Sequence, residues 1–113
     1  MKLKYNKITF NLLLSLVFAI SIISIGTVCN MIVTKENYGL MPVLSDENFM
    51  DDVHFSFNLD NKPNFWILSD IFPIDFYFRT GFLSFGDILI FIGVFAAISA
   101  YINYYFKYKR YYA

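Results

Sequence analysis

The side chains in this sequence that could do chemistry are Asn30, Asn37, His54, Asp70 and Asp87. Two carboxylates and an imidazole could bind a divalent cation or relay a proton, with the two amides as further ligands or as orienting groups. Their spacing does not single out a metal. There is no His-x-x-x-His, and "SDENFMDD" carries the acids of a calcium loop without its glycine and terminal glutamate. Cys29 is the only cysteine, which excludes an intrachain disulfide and a cysteine zinc site. It reads as a small apolar residue of a helix. No serine sits in a nucleophile elbow, so nucleophilic catalysis has no support. No cofactor and no enzymatic activity are expected.

Asp87 stands in "LSFGDILIFIGVF" (residues 83–95), where a single carboxylate precedes an uninterrupted apolar run. Ser84-Phe85-Gly86-Asp87 fits S-x-x-[DE], in which the serine hydroxyl accepts from the backbone N–H three residues on and the acid reaches back to the serine N–H. An acid in the first turn also complements the positive end of the helix dipole, worth about 0.3–1 kcal/mol. A cap and a ligand both fit this residue, and the cap is the simpler account. Asp70 and Pro73 admit a turn-making role of the same kind. His54, in a polar stretch, reads as exposed.

The elements that must position these groups follow from composition. Hydrophobic residues make up 58% of the chain and charged residues 16%, against about 25% charged in an ordinary soluble domain. From Ile8 to Thr34 there is no charge, and as a helix this run is about 40 Å long. Ile88 to Phe106 is likewise uncharged, about 29 Å as a helix. A bilayer core of about 30 Å accommodates either, the longer one with tilt or a projecting end. Two transmembrane helices are expected, with the lipid bilayer as the first partner. A cleaved signal peptide is the rival for the first run, but the run exceeds a typical h-region and no small-x-small site closes it.

The zero formal net charge offers no footprint for nucleic acid, which is not expected as a partner. It also conceals a segregation. All nine acidic residues lie between Glu36 and Asp87, whereas Lys2, Lys4, Lys7, Lys107, Lys109 and Arg110 lie at the two ends. Under the positive-inside rule both termini are cytoplasmic, which suits a multi-pass protein of the bacterial cytoplasmic membrane. Tyr101, Tyr104, Tyr105, Phe106, Tyr108, Tyr111 and Tyr112 then mark the inner interface.

The expected organisation is a basic tail (1–7), transmembrane helix 1 (8–34), an exterior acidic and aromatic loop (35–81), transmembrane helix 2 with its capping turn (82–106), and a second basic, aromatic tail (107–113). Within the loop, a short strand is expected at Val53–Leu59. An interfacial helix is expected near 64–72, followed by a bend at Pro73, with Phe65, Trp66, Phe72, Phe76, Phe78 and Phe82 at the outer interface. The fold class is therefore all-α, an antiparallel hairpin of two transmembrane helices.

Small residues permit close helix approach in lipid. Ser15, Ala19, Gly26 and Asn30 fall within about 60° on a helical wheel, as do Gly86, Gly93, Ala97 and Ala100. These stripes suit contact between the two helices, or with a membrane-protein partner or a second copy of the chain.

Asn30 followed by "MIVTKENYGLMPV", then His54, "LSDIFPI" and "LSFGDILIFIGVF" resembles the C-terminal part of an uncharacterised bacterial integral membrane protein family, the domain-of-unknown-function family numbered fifty-three seventeen. The resemblance runs over roughly residues 23–100. It implies motif roles for Asn30, Asn37, Gly39, Met41, Pro42, Val43, Leu68, Asp70, Pro73, Ser84, Gly86 and Asp87. Tyr38 stands where the family pattern has a first glycine, and Ser69 where it has the glycine before Asp70. The family pattern also implies further upstream helices, so the chain is expected to be a shortened member or one completed by a partner. The resemblance implies a topology and no reaction. A non-enzymatic accessory or interaction subunit is the leading expectation. The alternative is an ion-, proton- or small-ligand-handling subunit that uses Asp70, Asp87 and His54.

Overall fold

A computed structural model of the chain describes residues 2–76 and 79–112; Phe78, expected at the outer interface, lies outside them. The elements in order are α1 (Lys2–Lys35), β1 (Met41–Leu44), β2 (His54–Phe57), a 3-10 turn at Trp66–Leu68, β3 (Asp70–Phe76), β4 (Arg79–Ser84) and α2 (Phe85–Tyr112). The expected all-α class is corrected by the four strands, which form one mixed sheet in the order β2-β1-β3-β4.

The chain divides into two compact units, Met1–Ser24 with Ile90–Ala113, and Ile25–Leu89. In the first, the two helical segments run antiparallel. Ala19 and Ile23 meet Gly93, while Ile8 and Asn11 share a cleft with Asn103 and Lys107. Gly93 is buried, and a Cβ there would lie 2.5 Å from Ile23 Cγ1 and 2.9 Å from the Ala19 carbonyl oxygen. Of the small-residue stripes, Ala19 and Gly93 make this contact and Ala97 and Ala100 are half-buried, whereas Ser15 is exposed.

Both helices are long and apolar enough to cross a membrane. Mean hydropathy reaches 2.5 within Asn6–Lys35 and 2.1 within Phe85–Arg110, and only 11% of each apolar window is buried. Phe10, Phe18, Phe91 and Phe95 are among the large apolar side chains left exposed. Helical order continues through the stretches expected as tails, since α1 begins at Lys2 and α2 reaches Tyr112.

In the second unit, α1 ends through a left-handed pair, Tyr38 (φ 60°) and Gly39 (φ 81°). The Gly39 N–H donates to Thr34 O at 2.8 Å, satisfying a terminal helix carbonyl. β1 then pairs with β2 in parallel, Met41 opposite His54 through Leu44 opposite Phe57. β2 lies inside the stretch read as a strand. Asp51 Oδ1 accepts from the Val53 and His54 N–H groups at 2.8 and 2.6 Å, forming the turn that launches it.

β1 meets β3 in parallel at Val43 opposite Asp70 alone. β3 and β4 form an antiparallel ladder from Asp70–Ser84 to Phe76–Arg79, with an irregularity between Asp70 and Phe72. The interfacial helix expected near 64–72 shrinks to the 3-10 turn at Trp66–Leu68, entered through Phe65 in a left-handed conformation (φ 55°). Pro73 does not bend the chain; it sits within β3 opposite Phe82. The physical reason is that Ile71 to Phe82 is dense in aromatic and β-branched residues, which favour a pleated strand, and Arg79–Ser84 supplies the ladder partner. Proline is tolerated because the β1 side of β3 is unpaired past Asp70 among the described residues, as on an edge strand.

Candidate functional site

Asn30, Ser84 and Asp87 converge where the last turns of α1 approach the first turn of α2. Ser84 is the residue preceding α2 and is fully buried. Its Oγ accepts from the Asp87 N–H at 3.0 Å, and Asp87 Oδ2 accepts from the Ser84 N–H at 3.2 Å. These are the reciprocal bonds of a capping box. Asn30 adds a third side: the Ser84 hydroxyl donates to Asn30 Oδ1 at 2.6 Å, and Asn30 Nδ2 donates to Asp87 Oδ1 at 2.9 Å. The result is a closed ring of three side chains, from α1, the end of β4 and the first turn of α2.

Gly86 makes the ring geometrically possible. A Cβ at this position would overlap the Asn30 side chain and the Gly26 carbonyl. Hydrogen at Cα is therefore what allows the two backbones to approach closely enough for Asn30 to reach the cap. Gly26 and Gly86 are both buried here.

β4 delivers Ser84 to the cap and simultaneously places Asp70 opposite it in the β3–β4 ladder. Asp70 is 7% exposed. Its Oδ2 lies 3.9 Å from His54 Nε2, and its Oδ1 is buried without a hydrogen-bond partner. The other ring nitrogen of His54 is 3.4 Å from Asp51 Oδ1. Burial pushes the Asp70 carboxyl up to about 6, and the negative charge of Asp87 pushes in the same direction, with His54 partly opposing both. Asp51, an exposed residue, shifts the other way, because the Val53 and His54 N–H groups stabilise its ionised form.

The structure thus brings together Asn30, Ser84, Gly86, Asp87, Asp70 and His54, and leaves the other candidates elsewhere. Asn37 is buried, and its Nδ2 donates to Val33 O at 2.7 Å and to Asn64 O at 2.9 Å, tying the end of α1 to the later loop. Gly39 serves the helix stop, and Met41, Pro42 and Val43 form β1, where Pro42 and Val43 are buried. Leu68 closes the 3-10 turn. Cys29 is a half-buried free thiol of α1. Among the described residues no three His, Cys, Asp or Glu side chains are grouped to hold a metal ion.

Two contributors carry no signal in the sequence. Ser69 is fully buried, and its hydroxyl donates to Trp66 O, closing the 3-10 turn just before Asp70. Asp51 both starts β2 and flanks His54, although "MDDV" offers no way to prefer it to Asp52. What the arrangement can do chemically is limited and specific. The Asn30–Ser84–Asp87 ring uses its groups on one another, and Asp70 retains one open acceptor atom.

A pair of apolar helices carrying a mixed sheet, with a polar ring at the helix ends, defines a two-helix α+β protein. Residues 7–99 match the family of unknown function DUF5317, and the chain belongs to that family. The match reaches further towards the N-terminus than the motifs at 23–100, taking in most of α1. No curated protein and no solved structure matches the chain.

Proposed function

We propose that this chain is a non-enzymatic accessory subunit of the bacterial cytoplasmic membrane. In this reading it is a two-span protein with both termini cytoplasmic, and its sheet lies on the exterior side. The carrying observation is that Asn30, Ser84, Gly86 and Asp87 are consumed in fastening α1 to α2 rather than aimed into an open cavity. Within the Ile25–Leu89 unit, this junction ties the end of β4 to the last turns of α1 and the first turn of α2, which supports a structural role for these residues. The exposed apolar helix faces provide contact area for a larger membrane protein or a second copy.

Gly93 is turned towards Ala19 and Ile23 within the chain, so partner contacts belong on other faces of α2. Phe95 is one of the most exposed apolar residues of that helix. A photo-crosslinking residue at Phe95, in native membranes, should yield a discrete adduct with one membrane protein or a dimer of the chain. A uniformly uncrosslinked monomer, at wild-type abundance, overturns this reading.

A further inference from the structure

In the Ile25–Leu89 unit, both oxygens of Asp87 are occupied, one by Asn30 Nδ2 and the other by the Ser84 N–H. The Asn30 amide oxygen receives the Ser84 hydroxyl. One acceptor beside this ring is open. Among the described residues the only buried side-chain oxygens or nitrogens without a partner are Thr9 Oγ1, in the other unit, and Asp70 Oδ1. A buried carboxylate oxygen with no donor is costly when ionised, and more so beside a second carboxylate.

We propose that Asp70 is a reversible proton-binding site at the junction of β2, β3 and α2, whose occupancy follows the pH of the compartment bathing the sheet. The size of the vacancy selects the ligand. A metal ion needs several converging donors, whereas here one oxygen is open and, among the described residues, no three carboxylate, thiol or imidazole groups come together at Asp70. A proton on Oδ1 fills a single vacancy and removes the repulsion with Asp87. On release it passes to water, leaving two carboxylates with His54 as the nearby counter-group.

The charged groups around Asp70 come from few elements. β2 supplies His54, which is partly exposed and backed by Asp51, and α2 supplies Asp87. β1 has no ionisable side chain, and the only one in β4 is Arg79, at the far end of the ladder opposite Phe76. β3 itself adds Asp75, and between Lys7 and Lys35 α1 has no acidic or basic side chain, its only other titratable group there being the Cys29 thiol. The proposal stands independently of the docking reading, since it concerns an equilibrium within one chain.

The test is infrared spectroscopy of the full chain in lipid nanodiscs across this range of pH. A protonated-carboxyl band should be present at about pH 5 and lost by about pH 7.5, and Asp70→Asn should abolish it. His54→Gln, at a partly exposed position, should move the midpoint of the band upward in pH, because His54 opposes the upward shift of Asp70. A role in packing alone does not move that midpoint. If Asp70→Asn fails to fold, the His54→Gln titration decides by itself. A band that persists in Asp70→Asn, no band at about pH 5 in the wild type, or an unmoved or lowered midpoint in His54→Gln each overturns the assignment.

Discussion

Asn30 Nδ2 donates to Asp87 Oδ1 at 2.9 Å across 57 positions of sequence. That bond converts a local helix cap into a tertiary link. The capping box by itself would order only the first turn of α2. With Asn30 added, the same three side chains fix where α1 and α2 meet, and through Ser84 where β4 ends.

Removing members of the ring should therefore cost more than an ordinary cap. Asn30→Ala strands the Ser84 hydroxyl and Asp87 Oδ1, with an expected loss of about 1–3 kcal/mol. Ser84→Ala loses the cap itself, about 0.5–2 kcal/mol, together with its bond to Asn30. The double variant should fall short of the sum, since each single change already breaks the shared bond. Thermal midpoints in detergent micelles measure all three; strict additivity would show that Asn30 and Ser84 act separately.

Two glycines in the same unit should respond in opposite ways to an added methyl. At Gly86 a Cβ has nowhere to go, because Asn30 and the Gly26 carbonyl already occupy the space. At Gly81, in β4, nothing lies within 4 Å of the added atom. Gly86→Ala should reduce abundance and stability sharply, by several kcal/mol as overpacked contacts do when backbone must move. Gly81→Ala should be nearly neutral. Steady-state levels in membranes, with both variants expressed identically, separate the outcomes.

The helix stop carries a strained residue that glycine would relieve. Tyr38 holds φ 60° while its side chain is 99% exposed, so the ring gains little packing in return. Tyr38→Gly should raise the thermal midpoint, by about 1 kcal/mol in stability. Gly39→Ala, at φ 81°, should lower it by a similar amount.

Local signals made part of this molecule readable from sequence. The uncharged runs and the Ser84–Asp87 spacing are properties of neighbouring residues, and neighbours determine helix length and caps. The sheet was hidden because its decisive contacts are not local. β1 and β2 are four-residue strands paired in parallel across a loop, and the ladder between β1 and β3 is the single pair Val43–Asp70. Pro73 and the dense aromatic residues suit a broken interfacial helix equally well, and only the pairing with Arg79–Ser84 makes the segment a strand. Asn30 was visible as a polar residue on a small-residue stripe, but a helical wheel gives a face and not a partner. The orphaned Asp70 oxygen could not be foreseen, since burial of that strand end depends on the whole unit.

Stability should fall as the pH rises through the range where Asp70 ionises. Its carboxyl titrates near 6 in the folded chain, against 3.8 for an unperturbed aspartate. Between those values the folded state binds more protons than the unfolded state, so this residue favours folding most below about pH 4. The contribution is lost progressively up to about pH 6 and is then constant, a total of about 3 kcal/mol at most. Asp51 has the opposite sign, since its lowered carboxyl favours folding above 3.8 and loses that effect only as the pH falls further. The two windows do not coincide. Chemical unfolding in micelles at about pH 4.5 and about pH 7 should show wild-type stability decreasing, and Asp70→Asn should remove most of that decrease. The variant should also be the more stable protein at neutral pH, because an amide at this position carries no charge to bury beside Asp87. Equal pH dependence in the two proteins would move the ionisation to another group and leave the Asp70 oxygen a structural vacancy.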